Sequence, residues 1–200
     1  MQRGLASVVT SLITKALEDG VSAQSILDEA LLPGMDIVGE KFKNNTIFVP
    51  EVLVAARAMN AGASVLKPYL VEETLVSPGA VVIGTVKGDI HDIGKNLVKM
   101  LMEAKGLQVV DLGVNVTAET FISAAKEHGA KVIACSALLT TTMSEMKRVT
   151  EMAKQSLPGV KVIIGGAPVT QSFCESIGAD GYTSDAATAS ELALALCKGA

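Results

Sequence analysis

Between residues 80 and 197, short β-branched runs alternate with helical stretches, and nothing else in the chain restricts its fold so tightly. Ala80–Val86, Leu107–Leu112, Lys131–Cys135 and Val160–Ile164 read as strands, with a weaker run at Asp180–Tyr182. Helical periodicity fills the gaps at 94–105, 117–128, 143–156, 170–177 and 186–197. Near-continuous apolar strands separated by helices call for a parallel sheet covered on both faces. The expectation is a doubly wound, five-stranded α/β domain over residues 79–200, in strand order 2-1-3-4-5. Ligands of such sheets sit at the carboxyl ends of the strands, where the winding reverses.

The first 70 residues read differently. Leu5, Val8, Val9, Leu12, Ile13, Ala16 and Leu17 follow one helical face, and Asp19-Gly20 stops it. Ser22 is placed to cap a second helix that buries Ile26, Leu27, Ala30 and Leu31, with Ile26 stapled to Val21, until Pro33-Gly34 breaks it. A third helix carries Met35, Val38 and Phe42 and ends at Lys43-Asn44-Asn45. A fourth starts at Pro50 and runs to Leu66, with Val52, Ala55, Ala56, Met59 and Ala63 inward. Four helices on short loops imply a small antiparallel bundle over residues 1–70. Residues 71–78 close a linker that begins at Lys67 and carries two prolines and an acidic pair.

Charge and cysteine usage narrow the function classes. A net charge of -4 lacks the basic excess that phosphate-backbone binding uses, which argues against nucleic acid. No apolar run is long enough for a membrane span and no secretory leader is evident, so a cytoplasmic protein is expected. Cys135, Cys174 and Cys197 are odd in number and contain no CxxC pair, against a disulfide framework or a thiolate zinc site. His128 beside Gly129 suits a helix carboxyl end. Ser136 has no adjacent base, against hydrolase chemistry.

The chemistry concentrates in three loops at the expected ligand edge. After the first strand comes Lys87-Gly88-Asp89-Ile90-His91-Asp92-Ile93-Gly94, which has neither GxxxxGK[ST] nor GxGxxG. An imidazole two residues after a carboxylate can form a relay in which the Asp takes one ring N–H and the other nitrogen coordinates a metal. Taken alone, the loop suits better a plain reading in which Asp89 caps the next helix and His91 is solvated. After the third strand comes Ser136-Ala137-Leu138-Leu139-Thr140-Thr141-Thr142, and after the fourth Gly165-Gly166-Ala167-Pro168, where absent side chains would let a ligand lie against the backbone. Strand order 2-1-3-4-5 sets the three loops side by side.

Asp89-x-His91-x-x-Gly94, 41 intervening residues, Ser136-x-Leu138, 26 more, and Gly165-Gly166 resemble the DxHxxG, SxL, GG signature of cobalamin-binding proteins in residue type and spacing. The helical half, through Pro33-Gly34-Met35-Asp36 and Phe48-Val49-Pro50-Glu51, resembles the cap of methionine synthase and of the small corrinoid proteins of methyltransferase systems. The first helix looks shorter than in those proteins.

The resemblance implies a flavodoxin-like domain that binds cobalamin, as methylcobalamin or another corrinoid, with the cofactor's own base displaced. His91 would be the axial ligand to cobalt, Asp89 would bond its far nitrogen, and Thr142 would steady the carboxylate. Gly88, Asp92, Ile93, Gly94, Ser136, Leu138, Thr140, Gly165, Gly166 and Tyr182 would line the remaining cofactor contacts. The cap would cover the upper face, with Met35, Phe42, Phe48 and Met59 as candidates, although each taken singly suits ordinary bundle core better.

The function so implied is a methyl carrier, a non-catalytic corrinoid subunit. Its partners would be a substrate:corrinoid methyltransferase, a corrinoid:acceptor methyltransferase using tetrahydrofolate or a thiol, and a reductive activator. Three alternatives compete. A cobalamin-sensing regulator is disfavoured by six Lys plus Arg against seven Asp plus Glu in residues 1–70, with no basic recognition helix. The cobalamin subunit of an adenosylcobalamin mutase would usually lack the cap. A receiver-like domain without cobalt rests on fold analogy alone.

Overall fold

The computed structural model describes residues 5–70 and 77–199, and the chain divides into two compact units, Met1–Val76 and Ser77–Ala200. Of the expected linker, residues 71–76 lie outside the described residues, as do residues 1–4 of the expected bundle.

In the first unit α1 spans Ala6–Glu18, α2 Ala23–Ile26, α3 Leu32–Lys43 and α4 Val49–Leu66, followed by a 3₁₀ turn at Lys67–Tyr69. Ser22 does cap α2, its hydroxyl accepting from the Ser25 N–H at 3.1 Å. Glu51 accepts from the Phe48 N–H at 3.1 Å, and Pro50 sits in the first turn of α4, where its missing N–H has no partner to lose. Val9 and Ile13 of α1 pack on Gly62 of α4, where a Cβ would come within 2.8 Å of Ile13. The alanines Ala55, Ala56 and Ala58 are also buried along α4.

Two expectations for this unit fail. Pro33-Gly34 does not break the helix: a π-turn at Leu27–Leu31 joins α2 to α3. The extra residue in the turn re-registers the ladder, and Pro33 falls in the first turn of the renewed α-helix, where a proline is tolerated. Leu5, Val8, Leu12, Val21 and Ala30 are exposed, and only Val9 and Ile13 of the α1 stripe are buried. The reason is that α1 rests on the single line of α4 around Gly62, so its apolar arc is wider than its contact. Of the four cap candidates, Met35 and Met59 lie in the bundle core, as the ordinary reading of each expects, Phe42 is half-buried and Phe48 is exposed.

In the second unit β1 (Ala80–Thr85), β2 (Gln108–Asp111), β3 (Val132–Ser136), β4 (Lys161–Gly165) and β5 (Gly181–Tyr182) form one parallel sheet in order β2-β1-β3-β4-β5. The helices α5 (Ile93–Ala104), α6 (Ala118–Glu127), α7 (Met143–Ser156), α8 (Gln171–Ile177) and α9 (Ala186–Lys198) alternate with the strands. One face of the sheet buries Val82, Ile133 and Ile164 against Phe121 and Met146, and the other buries Val81, Val132 and Ile163 against Met102 and Cys197. Each fully buried side chain of this size contributes about 1.5–3 kcal/mol. Gly84 has no side chain because Phe121 occupies the space, 2.8 Å from where its Cβ would be. Burial raises the thiol pKa of all three cysteines, as suits small hydrophobes. His128 caps the carboxyl end of α6. No helix among the described residues is long and apolar enough to cross a membrane.

Candidate functional site

Register brings the loops after β1, β3 and β4 together. Thr85 pairs with Ser136, and Ser136 with Gly165, so the three strands end level. The β1 loop then turns back sharply: Gly88, at φ +83, lets the Asp89 N–H reach the Val86 carbonyl at 3.1 Å. This turn places the Asp89 side chain under its own loop, where it is fully buried.

Asp89 accepts five hydrogen bonds. Its Oδ1 receives the His91 ring at Nδ1 (2.7 Å) and the His91 backbone N–H (3.1 Å). Its Oδ2 receives the N–H groups of Leu138 (2.7 Å) and Leu139 (3.1 Å) and the Thr142 hydroxyl (3.2 Å). Burial by itself would raise this carboxyl's pKa, but the hydrogen bonds from His91, Leu138 and Leu139 outweigh it and hold it well below the usual carboxylate range. Asp89 is therefore ionised at neutral pH and can only accept, so His91 Nδ1 carries a proton. In the neutral ring Nε2 then holds a lone pair, and among the described residues it has no protein partner. Asp89 does not cap α5; Asp92 occupies that position and accepts from Asn96 Nδ2 at 3.1 Å.

Around the imidazole, itself 48% exposed, Ile90 and Ile93 stand 73% and 82% exposed, and Leu138 and Leu139 are exposed beside them. Among the described residues no three His, Cys, Asp or Glu side chains cluster as a metal site. One anchored imidazole set among apolar side chains thus suits a metal that arrives with most of its coordination sphere filled by a flat organic ring. Gly94, the second residue of α5, would point a Cβ into open space at this edge.

At the loops after β3 and β4 the site differs from expectation at one residue. Gly165 has room, its nearest neighbour to a Cβ being the Thr183 carbonyl at 3.6 Å. Gly166, at φ +133, does not: a Cβ there would overlap the Ala137 carbonyl. Its missing side chain serves contact between two loops of the protein itself rather than a ligand's access. Ser136 ends β3 half-buried, Thr140, exposed, opens a 3₁₀ turn that closes on the buried Thr142, and Tyr182 pairs with Ile164 and packs against the core.

Sequence reasoning missed two residues that hold the His91 loop by its backbone and one buried lysine that follows it. Thr85, fully buried, donates from Oγ1 to the His91 carbonyl at 2.9 Å. Asn115 accepts from the Gly88 N–H at 2.8 Å and donates its own N–H to the Asp89 carbonyl at 2.9 Å. Lys95, in the first turn of α5 and 2% exposed at its side chain, reaches Asp111 Oδ1 and Asn96 Oδ1, each at 2.7 Å. Burial would raise the Asp111 carboxyl's pKa, but Lys95, the Gly113 N–H and Lys99 lower it. None of these residues belongs to a recognisable motif; a lysine two residues after a helix start among apolar neighbours was the only signal.

Residues 79–191 match a family model described as a B12 binding domain, and residues 1–67 match a second model of the same description. A corrinoid protein of Desulfitobacterium hafniense is 38% identical over 195 residues, covering 95% of this chain and 90% of the relative. Trimethylamine corrinoid protein 1 of Methanosarcina mazei is 43% identical over 179 residues, covering 88% and 83%. Among solved structures, a cobalamin-binding protein from Desulfitobacterium hafniense superposes with a TM-score of 0.83 at 29% identity, covering 98% of this chain and 94% of that one. A chain of the methanol:cobalamin methyltransferase complex from Methanosarcina barkeri gives 0.85 at 33% identity, covering 98% and 76%.

Proposed function

The chain belongs to the B12-binding corrinoid proteins, and from that premise we propose that it holds cobalamin with the cofactor's own base displaced and His91 on cobalt, as a methyl carrier between two methyltransferases. The observation that carries this reading is the Asp89–His91 pair: a buried, ionised carboxylate keeps a proton on Nδ1 and so leaves the Nε2 lone pair facing outward. Bound cobalamin supplies the cobalt centre that takes up and gives away the methyl group.

The chain's residues bind and orient. Ile90, Ile93, Leu138 and Leu139 would offer apolar surface to the corrin ring, and their burial against it would exclude water from the imidazole. Ser136 and Gly165, neighbours in the sheet register, would line a slot for the cofactor's displaced nucleotide tail, with Gly166 shaping that slot through its contact with Ala137. Thr142, bonded to Asp89 Oδ2, steadies the carboxylate when the proton on Nδ1 is drawn toward it. Of the four candidates in the helical unit, Phe48 alone is exposed.

The relatives include a trimethylamine corrinoid protein and a dimethylamine corrinoid protein, and one similar chain belongs to a methanol:cobalamin methyltransferase complex. A partner methyltransferase would present the donor to this chain. A second methyltransferase would take the methyl group, and a reductive activator would restore oxidised cobalt.

Electron paramagnetic resonance of the cobalt(II) holoprotein tests the ligand. One nitrogen should split the signal into triplets that become doublets on 15N-histidine labelling and vanish in His91→Ala. No nitrogen coupling in the wild type, or coupling retained in His91→Ala, overturns the reading.

A further inference from the structure

The contacts that fix Asp89 from the β3 side explain where its carboxylate goes but leave the peptide that carries it unaccounted for. That peptide is held from the opposite side, by the segment between β2 and α6, which contributes nothing to the three-loop signature. Asn115 is there in the left-handed region, at φ +56, which few residues other than glycine adopt and which asparagine tolerates. In that conformation its side-chain Oδ1 takes the Gly88 N–H at 2.8 Å while its backbone N–H reaches the Asp89 carbonyl at 2.9 Å. The two bonds bracket consecutive residues of the loop. Asn115 is itself tied down, since the next residue, Val116, donates to the Thr85 carbonyl at 2.9 Å. Thr85 in turn holds the His91 carbonyl.

We infer that Asn115 is a positioning residue for His91: it clamps the Gly88–Asp89 backbone so that the imidazole is presented in one place before a corrinoid arrives. The inference rests on the reading of His91 as the axial ligand. A loop fixed beforehand loses no conformational freedom on binding, and that saving appears as affinity. Gly88 is exposed, so water replaces a lost acceptor and variants at Asn115 stay folded.

Three variants separate the contributions. Asn115→Gly keeps the backbone conformation and removes the acceptor, Asn115→Ala disfavours both, and Asn115→Asp keeps an acceptor at the same reach. The probe is cobinamide, the corrinoid without the nucleotide tail, whose binding reports the histidine side of the site and not the tail slot. In Asn115→Gly the amides of residues 88–91 in the apoprotein should exchange with solvent about tenfold faster or more, and cobinamide should bind about tenfold more weakly, as for outer-shell partners of metal ligands. Asn115→Ala should lose at least as much, and Asn115→Asp should stay within about twofold of wild type. Wild-type exchange or wild-type cobinamide affinity in Asn115→Gly overturns the inference, as does an Asn115→Asp variant as impaired as the glycine. His91→Ala binding cobinamide as tightly as wild type would instead remove the axial-ligand reading; the exchange rates would then decide by themselves whether Asn115 holds the loop.

Discussion

Replacing Asp89 by Asn keeps the shape of the side chain and changes one acceptor into a donor, so its cost follows from the five bonds. With the amide oxygen kept toward Leu138, Leu139 and Thr142, the NH₂ group faces His91, which must give up the proton on Nδ1 to accept from it. The His91 backbone N–H then meets a donor and is left without its acceptor. The reverse orientation abandons three bonds and is worse. One stranded donor and the loss of charge assistance on the remaining bonds together cost about 2–4 kcal/mol. Urea unfolding of the apoprotein measures this. The chain has no Trp and two Tyr, and Tyr69 is exposed, so in a Tyr69→Phe background Tyr182 fluorescence reports the sheet unit alone.

The pH dependence has a definite sign. A carboxyl whose pKa is lowered in the folded state stabilises above its unfolded value, about 4, and that stabilisation is lost as pH falls below it toward the folded value. Wild type should thus lose stability between pH 5 and the acid limit, and Asp89→Asn should lose less over the same span. In the same variant, imidazole 15N spectra should show His91 switched to the Nε2-protonated tautomer, with His128 as internal reference; that ring cannot ligate without losing the proton. A loss below about 1 kcal/mol, or a proton still on Nδ1, would refute the account of Asp89 as both an anchor and a tautomer selector.

Gly165 and Gly166 should part company. Gly165→Ala should leave apoprotein stability within about 0.5 kcal/mol, as for a substitution with room around it, whereas Gly166→Ala should destabilise the sheet unit by well over 1 kcal/mol in the same urea assay. Lys95→Met leaves Asp111 with Lys99 and the Gly113 N–H, so the loss should be about 2–3 kcal/mol, under the about 3–5 of a fully buried pair, and Lys95→Met/Asp111→Leu should recover at least half of it by urea midpoint.

The sheet was legible because each of its signals is local. Strand ends fell within two residues of expectation, and Ser22, Thr117, Thr170 and Asp185 cap helices through their own side chains. The site was legible through spacing, since parallel register converts fixed intervals into adjacent loops. What could not be read were bonds from side chains to distant backbone. Nothing near Asn115 says that its amide will meet Gly88, 27 residues earlier, because any polar side chain could accept that N–H. Pro33 misled because a helix breaker is judged by its own turn, while the π-turn that accommodates it lies in the preceding residues. The α1 stripe misled because periodicity gives a helix's apolar face and not the width of the surface it meets.

The buried Lys95–Asp111 pair has a consequence for how such a sequence can change over time. Losing Lys95 first leaves a carboxylate that still has Lys99, a backbone N–H and some access to water. Losing Asp111 first strands an ammonium group, 2% exposed at its side chain, at the positive end of α5 with only a neutral amide oxygen beside it. The two orders of substitution reach the same apolar pair, but the second passes through an intermediate whose deficit rivals a large part of a domain's whole stability margin, about 5–15 kcal/mol. Lineages that discard the pair should therefore have crossed in one direction, lysine before aspartate, which makes it a one-way gate in the history of the fold.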